Sequence, residues 1–185
     1  MSKNWNDQNE LIEILLGIDE EASLTLDNSP HKPTVIIVGG AAFLLRDLTN
    51  RKVTHDIDVL SIDEELKAII ASYPEVNQSV SAYMDQIPYN FEDRLVELNI
   101  GTTTVHFVVP SLEDLIIMKL YAQRPNDIQD IESAAKSNLI NWDLLEYLVY
   151  SDDEAKASTN IKRRYNEMVD AFKRFKEAWK NESDV

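Results

Sequence analysis

The chain has 185 residues, enough for one well-filled core or a compact α/β unit with a helical extension, and too few for two fully independent domains. Hydrophobic residues at 44% and charged residues at 28% exclude a disordered chain, and the absence of cysteine excludes disulfides and thiolate metal sites, so any metal is held by oxygen or histidine ligands. Eighteen basic against 33 acidic residues give a formal charge of −15, which disfavours broad nucleic-acid binding and is easier to reconcile with a small nucleotide carried with its own metal ion, with a basic protein partner, or with plain solubility.

No run approaches the roughly 20 consecutive apolar residues of a membrane-spanning helix. The opening MSKNWNDQNE lacks the basic-then-apolar order of a secretion signal, so the expectation is a cytoplasmic protein without membrane contacts. Residues 10 to 22 place Leu11, Ile14, Leu15 and Ile18 at helical spacing, which predicts an amphipathic opening helix. The stretch DNSPHKP, with two prolines, breaks it into a loop. Thr34 to Val38, TVIIV, is β-branched without alternation, as in a strand buried on both faces. Gly39 and Gly40 end it, and AAFLLRDL follows with strong helix formers. A second strand is expected from Asp56 to Ile62.

Asp63 is placed to cap a helix running to Tyr73, where Pro74 stops it, and a further helix is expected from Asn77 to Gln86. Arg94 to Ile100 and Thr103 to Val109 read as a hairpin or two neighbouring strands around Gly101. Ser111 with Asp114 resembles a capping box in which aspartate replaces the preferred Glu or Gln. Helices are expected over Leu112 to Gln123, Asn126 to Lys136, Trp142 to Tyr150 and Glu154 to Lys180, the last packing on the core as a lid or brace through Ile161, Tyr165, Met168, Val169, Phe172, Phe175 and Trp179. This divides the chain into an α/β core with its N-terminal helix (1–110) and a helical extension packed on it (111–185).

Side chains alternate along a strand, so Asp56 and Asp58 project to one side while Ile57 and Val59 face the apolar side. Two carboxylates converging at a strand end repel unless a cation lies between them, and hard oxygen ligands select Mg2+ or Mn2+. The preceding glycines let backbone N–H groups approach a ligand closely.

The run GGAAFLLRDLTNRKVTHDIDV resembles the signature of the nucleotidyltransferase superfamily: strand, Gly-Gly, helix, then Asp-hydrophobic-Asp on the next strand. The resemblance implies a small mixed sheet flanked by helices, Gly39 and Gly40 lining an NTP triphosphate, and Asp56 and Asp58 holding metal. A second stretch, PSLEDLIIMKLYAQRPNDIQDI, looks like the downstream motif of AbiEii-type toxin nucleotidyltransferases, with a helical lysine followed by Arg-x-x-Asp-hydrophobic-x-Asp. By that resemblance Lys119 and Arg124 contact nucleotide phosphates, and Asp127 or Asp130 assists deprotonation of an acceptor.

Plainer readings stand beside these. Lys119 as an exposed helix residue, Arg124 and Asp127 as an i,i+3 ion pair, and Asp130 as a helix cap or solvated face are all compatible with the spacing. His55 is expected on the face opposite the carboxylates, and His106 in the core. Arg46 and Arg51 are either solvated or close enough to neutralise phosphate. Many active relatives carry a third carboxylate on an adjacent strand, and Glu97 is the acid inside RLVELNI and TTVHFVV that can supply it. The sequence therefore supports two functions: transfer of a nucleoside monophosphate from an NTP to a hydroxyl on RNA, protein or a small molecule, as the toxin-like half of a toxin-antitoxin or phage-defence pair with an antitoxin-like partner, or a degenerate domain that binds a nucleotide or a basic protein.

Overall fold

Thr34–Val38 forms the central strand of the sheet, as its unbroken β-branched run requires. The computed structural model describes residues 6–26, 31–150 and 162–180. Along the chain lie β1 (Asn6–Asp7), α1 (Gln8–Thr25), β2 (Thr34–Val38), α2 (Gly39–Leu45), β3 (Val53–Thr54), β4 (Ile57–Ile62), α3 (Lys67–Ile70), β5 (Val76–Asn77), β6 (Val96–Glu97) and β7 (His106–Val109). The helices α4 (Leu112–Ala122), α5 (Pro125–Lys136), α6 (Trp142–Tyr150) and α7 (Lys162–Lys180) follow.

Five strands make a mixed sheet in the order β5-β4-β2-β7-β6. β2 runs antiparallel to β4 and parallel to β7, β5 is parallel to β4, and β6 closes the other edge antiparallel to β7. A separate ribbon pairs β1 with β3, Asn6 opposite Thr54, and Asn6 also donates to the His55 carbonyl at 3.1 Å. The chain start thus pins the approach to β4. Helix α2 packs on β2 and β4 and meets α1, α4 and α5, and Phe43, Ile37, Phe107 and Leu115 are fully buried in the shared core. This mixed α/β architecture, with helices flanking a small sheet and a helical C-terminal part, agrees with the fold that the sequence led us to expect.

The opening helix starts at Gln8 because Asp7 and Glu10 form a reciprocal capping box. Leu11, Leu15 and Ile18 are buried on its inner face, and so is Asp19. The Asp19 carboxylate accepts from the backbone N–H groups of Thr103, Thr104 and Val105 at 3.0, 2.8 and 2.7 Å. Those amides satisfy a side chain instead of a ladder, so the expected strand from Thr103 begins only at His106. Its partner is shorter still. Arg94 is drawn out of the expected strand into a 3₁₀ turn, Phe91–Arg94, by a two-pronged bond to buried Asp114 at 2.8 and 2.9 Å.

Asp63 does not cap a helix; its carboxylate accepts from Thr34 N at 2.8 Å, tying the end of β4 to the start of β2. The segment after it is a 3₁₀ turn, Glu64–Leu66, and the single-turn α3, rather than one helix to Tyr73. Asn77 belongs to β5, and the expected helix there is the 3₁₀ segment Ser79–Gln86. The Ser111 hydroxyl caps α4 by accepting from Asp114 N, but the Asp114 carboxylate turns to Arg94 and the Ser111 hydroxyl, so only half of a capping box forms. Met168, Phe172 and Phe175 of α7 are buried, and Tyr165 donates to the Val149 carbonyl at 2.7 Å. The start expected for this helix, Glu154 to Ile161, lies outside the described residues, as do Asp27 to Pro30 of the first loop.

Candidate active site

The strand β2 delivers the chain into Gly39 with φ +69°, a left-handed conformation that favours glycine. A Cβ there would lie 2.4 Å from Asp58 Oδ2, so the absent side chain is what lets the carboxylate sit against the backbone. At Gly40 a Cβ would meet Arg51 Nη2 at 2.5 Å and Thr54 Oγ1 at 3.1 Å. The antiparallel register sets Val38 opposite Asp58, and a bulge that leaves Leu60 as the extra residue lies just behind this pair. Asp58 is therefore held at the end of the central strand by pairing, not by loop geometry.

Asp56 and Asp58 both line a cavity of about 500 Å³ together with Val38, Gly39, Lys119 and Arg124. They also line a second cavity of about 310 Å³ with Gly40, Arg51, Thr54, His55 and Asn126. The carboxylates thus stand between two chambers. On the neighbouring strand Asn77 donates its amide to Asp58 Oδ1 at 2.9 Å, and its own oxygen accepts from Ser79 N at 3.0 Å, which fixes the amide's orientation. Burial, and after it the charge of Asp56, pushes the Asp58 carboxyl up to about 6, against the hydrogen bond from Asn77 and the charges of Arg124 and Lys119.

Two cations, Lys119 and Arg124, line both cavities with the carboxylates. Lys119, only 5% exposed, meets Asp130 at 2.7 Å and Asp127 at 3.0 Å, and its ammonium lies 4.7 Å from the centre of the Phe43 ring. Arg124, whose side chain is 72% exposed, bonds Asp127 through Nε at 2.7 Å, and its backbone N–H donates to the same carboxylate at 3.1 Å. Arg51 Nε and the Thr49 hydroxyl converge on Asp130 Oδ1 at 2.7 and 2.6 Å. Burial alone would raise the Asp127 carboxyl, but the hydrogen bond from Arg124 and the charge of Lys119 outweigh it and hold it below the usual carboxylate range.

Of the residues singled out from sequence, Gly39, Asp56, Asp58, Lys119, Arg124 and Asp127 share the larger cavity, and Gly40 joins all but Gly39 of these in the smaller one. Asp130 is 0% exposed and lines neither. Its bonds to Lys119, Arg51 and Thr49 give it a positioning role, and a base for an acceptor needs contact that this burial denies. Burial likewise overturns the reading of Lys119 as a solvated helix residue, whereas the Arg124–Asp127 ion pair is present.

Glu97 is not a third ligand beside Asp56 and Asp58. It lies on edge strand β6, separated from β4 by β7 and β2, and its exposed carboxylate sits 3.1 Å from His106 Nδ1. The same pairing shows that His106 is half-exposed rather than a core histidine. Among the described residues no cluster of three or more His, Asp or Glu side chains is arranged to hold a metal ion. His55 lines the smaller cavity with the carboxylates, because β4 begins at Ile57 and strict alternation does not extend back to residue 55. Arg51 lines that cavity too, while Arg46 lines neither. The spacing of motifs left Asn77 and Gln86 unnoticed, because each reaches the cavity through elements whose placement depends on sheet pairing and packing.

A mixed sheet whose central strand runs into a glycine pair, beside two carboxylates at the start of the antiparallel neighbour and a lysine and arginine lining the same cavity, defines a protein of the nucleotidyltransferase fold. The chain belongs to the family of nucleotidyltransferases of unknown function (DUF6036), whose model matches residues 13–180. A search of the curated proteins and a search of the solved structures each gave no significant match. Among the described residues no helix is long and apolar enough to cross a membrane.

Proposed function

We propose that this protein is a cytoplasmic, metal-dependent enzyme that moves a nucleoside monophosphate from an NTP to a hydroxyl acceptor. The observation that carries the reading is that Asp56 and Asp58 line one cavity together with Lys119 and Arg124. Two carboxylates, with no third ligand clustered beside them among the described residues, fit Mg2+ or Mn2+, since Mg2+ is ordinarily bound by one or two carboxylates while substrate phosphates and water complete its shell. Asp56 and Asp58 would hold the ion, which when bound neutralises the phosphates and the departing pyrophosphate.

The chain's own groups have separable tasks. Gly39 and Gly40 leave room for Asp58 and Arg51 to lie against the strand end, which brings a metal ligand and a cation close to the backbone that would meet the phosphates. Lys119 is fixed by Asp127 and Asp130 so that its charge is already in place before phosphate arrives, and Arg124 adds a forked donor at the cavity edge. Asn77 keeps Asp58 turned toward the cavity. Asp127, held ionised by its two cationic partners, serves better to position them than to accept a proton.

The resemblance of the Lys119 to Asp130 stretch to AbiEii-type toxins supports a toxin-like role with an antitoxin-like partner, and RNA, protein and small molecules are the acceptors to test. Incubation with Mg2+, labelled NTPs and these acceptors should give label transfer that disappears in Asp58→Ala. If no acceptor is labelled and NTP binding shows no dependence on Mg2+, the enzymatic reading is wrong.

The lack of a third ligand among the described residues favours one second reading, a degenerate domain that binds a nucleotide or a basic protein without turnover. Calorimetry separates the two. Nucleotide binding without transfer, or a partner interaction weakened steeply by salt, belongs to the binding module.

A further inference from the structure

Gln86 closes the 3₁₀ segment Ser79–Gln86 and is followed by buried Ile87 and Pro88, so its backbone is clamped in the core. Its side chain is 9% exposed and lines the larger cavity. It makes no hydrogen bond with any of the described residues. Asn77, the other amide on this cavity, is committed on both sides, to Asp58 and to Ser79. Of the two amide side chains among the described residues that line this cavity, Gln86 is the one with its donor and acceptor uncommitted.

Its amide atoms are not sealed from solvent, so the edge of a ligand can take the place of water on them. Val80, Leu115, Met118 and Ala122 line the same cavity with hydrocarbon, and a carboxamide among such groups needs a polar partner. Apolar side chains beside a few well-placed polar groups are the usual lining of a small-molecule pocket. A nucleobase answers both features: its flat face suits Leu115 and Met118, and its edge carries a donor beside an acceptor, the pattern a glutamine amide matches with two parallel hydrogen bonds.

We propose that Gln86 reads the base of the bound nucleotide, with the nucleoside in the larger cavity and the phosphates toward Asp58, Lys119 and Arg124. This rests on the nucleotidyltransferase reading above, and it assigns base selection to a residue outside the phosphate and metal machinery.

The test is the affinity of wild type, Gln86→Met and Gln86→Glu for the four Mg2+-NTPs by calorimetry, with thermal unfolding to show that each variant is folded. Methionine keeps length and bulk but removes both hydrogen bonds, so the favoured NTP should lose about tenfold or more in affinity and the preference among bases should flatten. Glutamate offers two acceptors and should raise GTP relative to the other three, because guanine presents two adjacent donors. In wild type, the side-chain amide resonances of Gln86 should shift when the favoured NTP is added, a readout that does not depend on any variant folding. Unchanged affinities and preference in folded variants, or stationary Gln86 amide resonances in the presence of bound NTP, overturn this inference and leave the nucleotidyltransferase reading intact. Failure of wild type to bind any Mg2+-NTP overturns both.

Discussion

The carboxylate of Asp58 occupies the space in which a side chain on Gly39 would begin: a Cβ at residue 39 would fall 2.4 Å from Asp58 Oδ2. The glycine and the acid are nineteen residues apart in sequence, one just past the end of β2 and the other on its antiparallel neighbour β4, and a bulkier residue at 39 would disturb both. Gly39→Ala therefore combines a left-handed backbone at φ +69° with a steric clash, an expected loss of roughly 2–4 kcal/mol. Gly101→Ala is the control, since residue 101 also has positive φ but a Cβ there meets nothing within 4 Å, and should cost only about 1 kcal/mol. Urea unfolding of both measures the difference; equal losses would mean that Asp58 does not lie against Gly39.

The position of Asp58 costs stability at neutral pH. Its folded-state carboxyl is raised to about 6, so the folded protein binds a proton that the unfolded chain has released. Its contribution to stability falls as pH rises from about 4 to 6, and the penalty is complete above that range. Asp58→Asn should stabilise the metal-free protein by roughly 1–3 kcal/mol at pH 7.5, with the gain shrinking toward zero near pH 4. Denaturant titrations at the two pH values check this, and a gain independent of pH would refute it.

Asp130 compensates three donors at once: Lys119, Arg51 and Thr49. Removing this fully buried carboxylate takes the counter-charge from Arg51 and leaves buried Lys119 with Asp127 alone, so Asp130→Ala should destabilise the fold by about 3–5 kcal/mol. Glu64→Ala, which breaks the exposed pair with Lys67, should cost at most about 1 kcal/mol. Chemical unfolding of the two variants compares them directly, and equal effects would return Asp130 to the list of candidate bases.

Glu97 lies at the far edge of the sheet in a solvent-exposed pair with His106. Glu97→Gln should therefore change Mg2+-dependent NTP binding by less than about twofold and stability by less than about 1 kcal/mol. Calorimetry with Mg2+ and a non-hydrolysable NTP decides it. A loss as large as that of Asp58→Ala would show Glu97 to be a ligand after all.

Local chemistry was enough to locate the hydrophobic strand, the glycine pair, the helices of the second half and the acids that follow Thr54. Each of these depends on residues within a few positions of one another. TVIIV favours a buried strand wherever it is placed, and Ser111 caps a helix through a donor three residues away. Elements whose amides were claimed by distant side chains were misjudged. Asp19 takes the amides of Thr103 to Val105, and Asp114 takes Arg94 from its strand, through contacts that no window along the chain contains.

The same division runs through the site. Resemblance to family motifs singled out Gly39, Gly40, Asp56, Asp58, Lys119 and Arg124: the first four flank one strand-to-strand connection, and the last two lie in the final turn of α4 and at the cap of α5. Only the packing of α4 and α5 against α2 and the Arg51 loop decided that Asp130 is buried as a counter-ion, and only the strand order decided that Glu97 is remote from β4. Asn77 and Gln86 reach the cavity through an edge strand and a 3₁₀ segment packed on β4. Burial and sheet order are properties of the assembled chain, since they depend on which surfaces exclude water together, and a pattern of residue types carries no record of that.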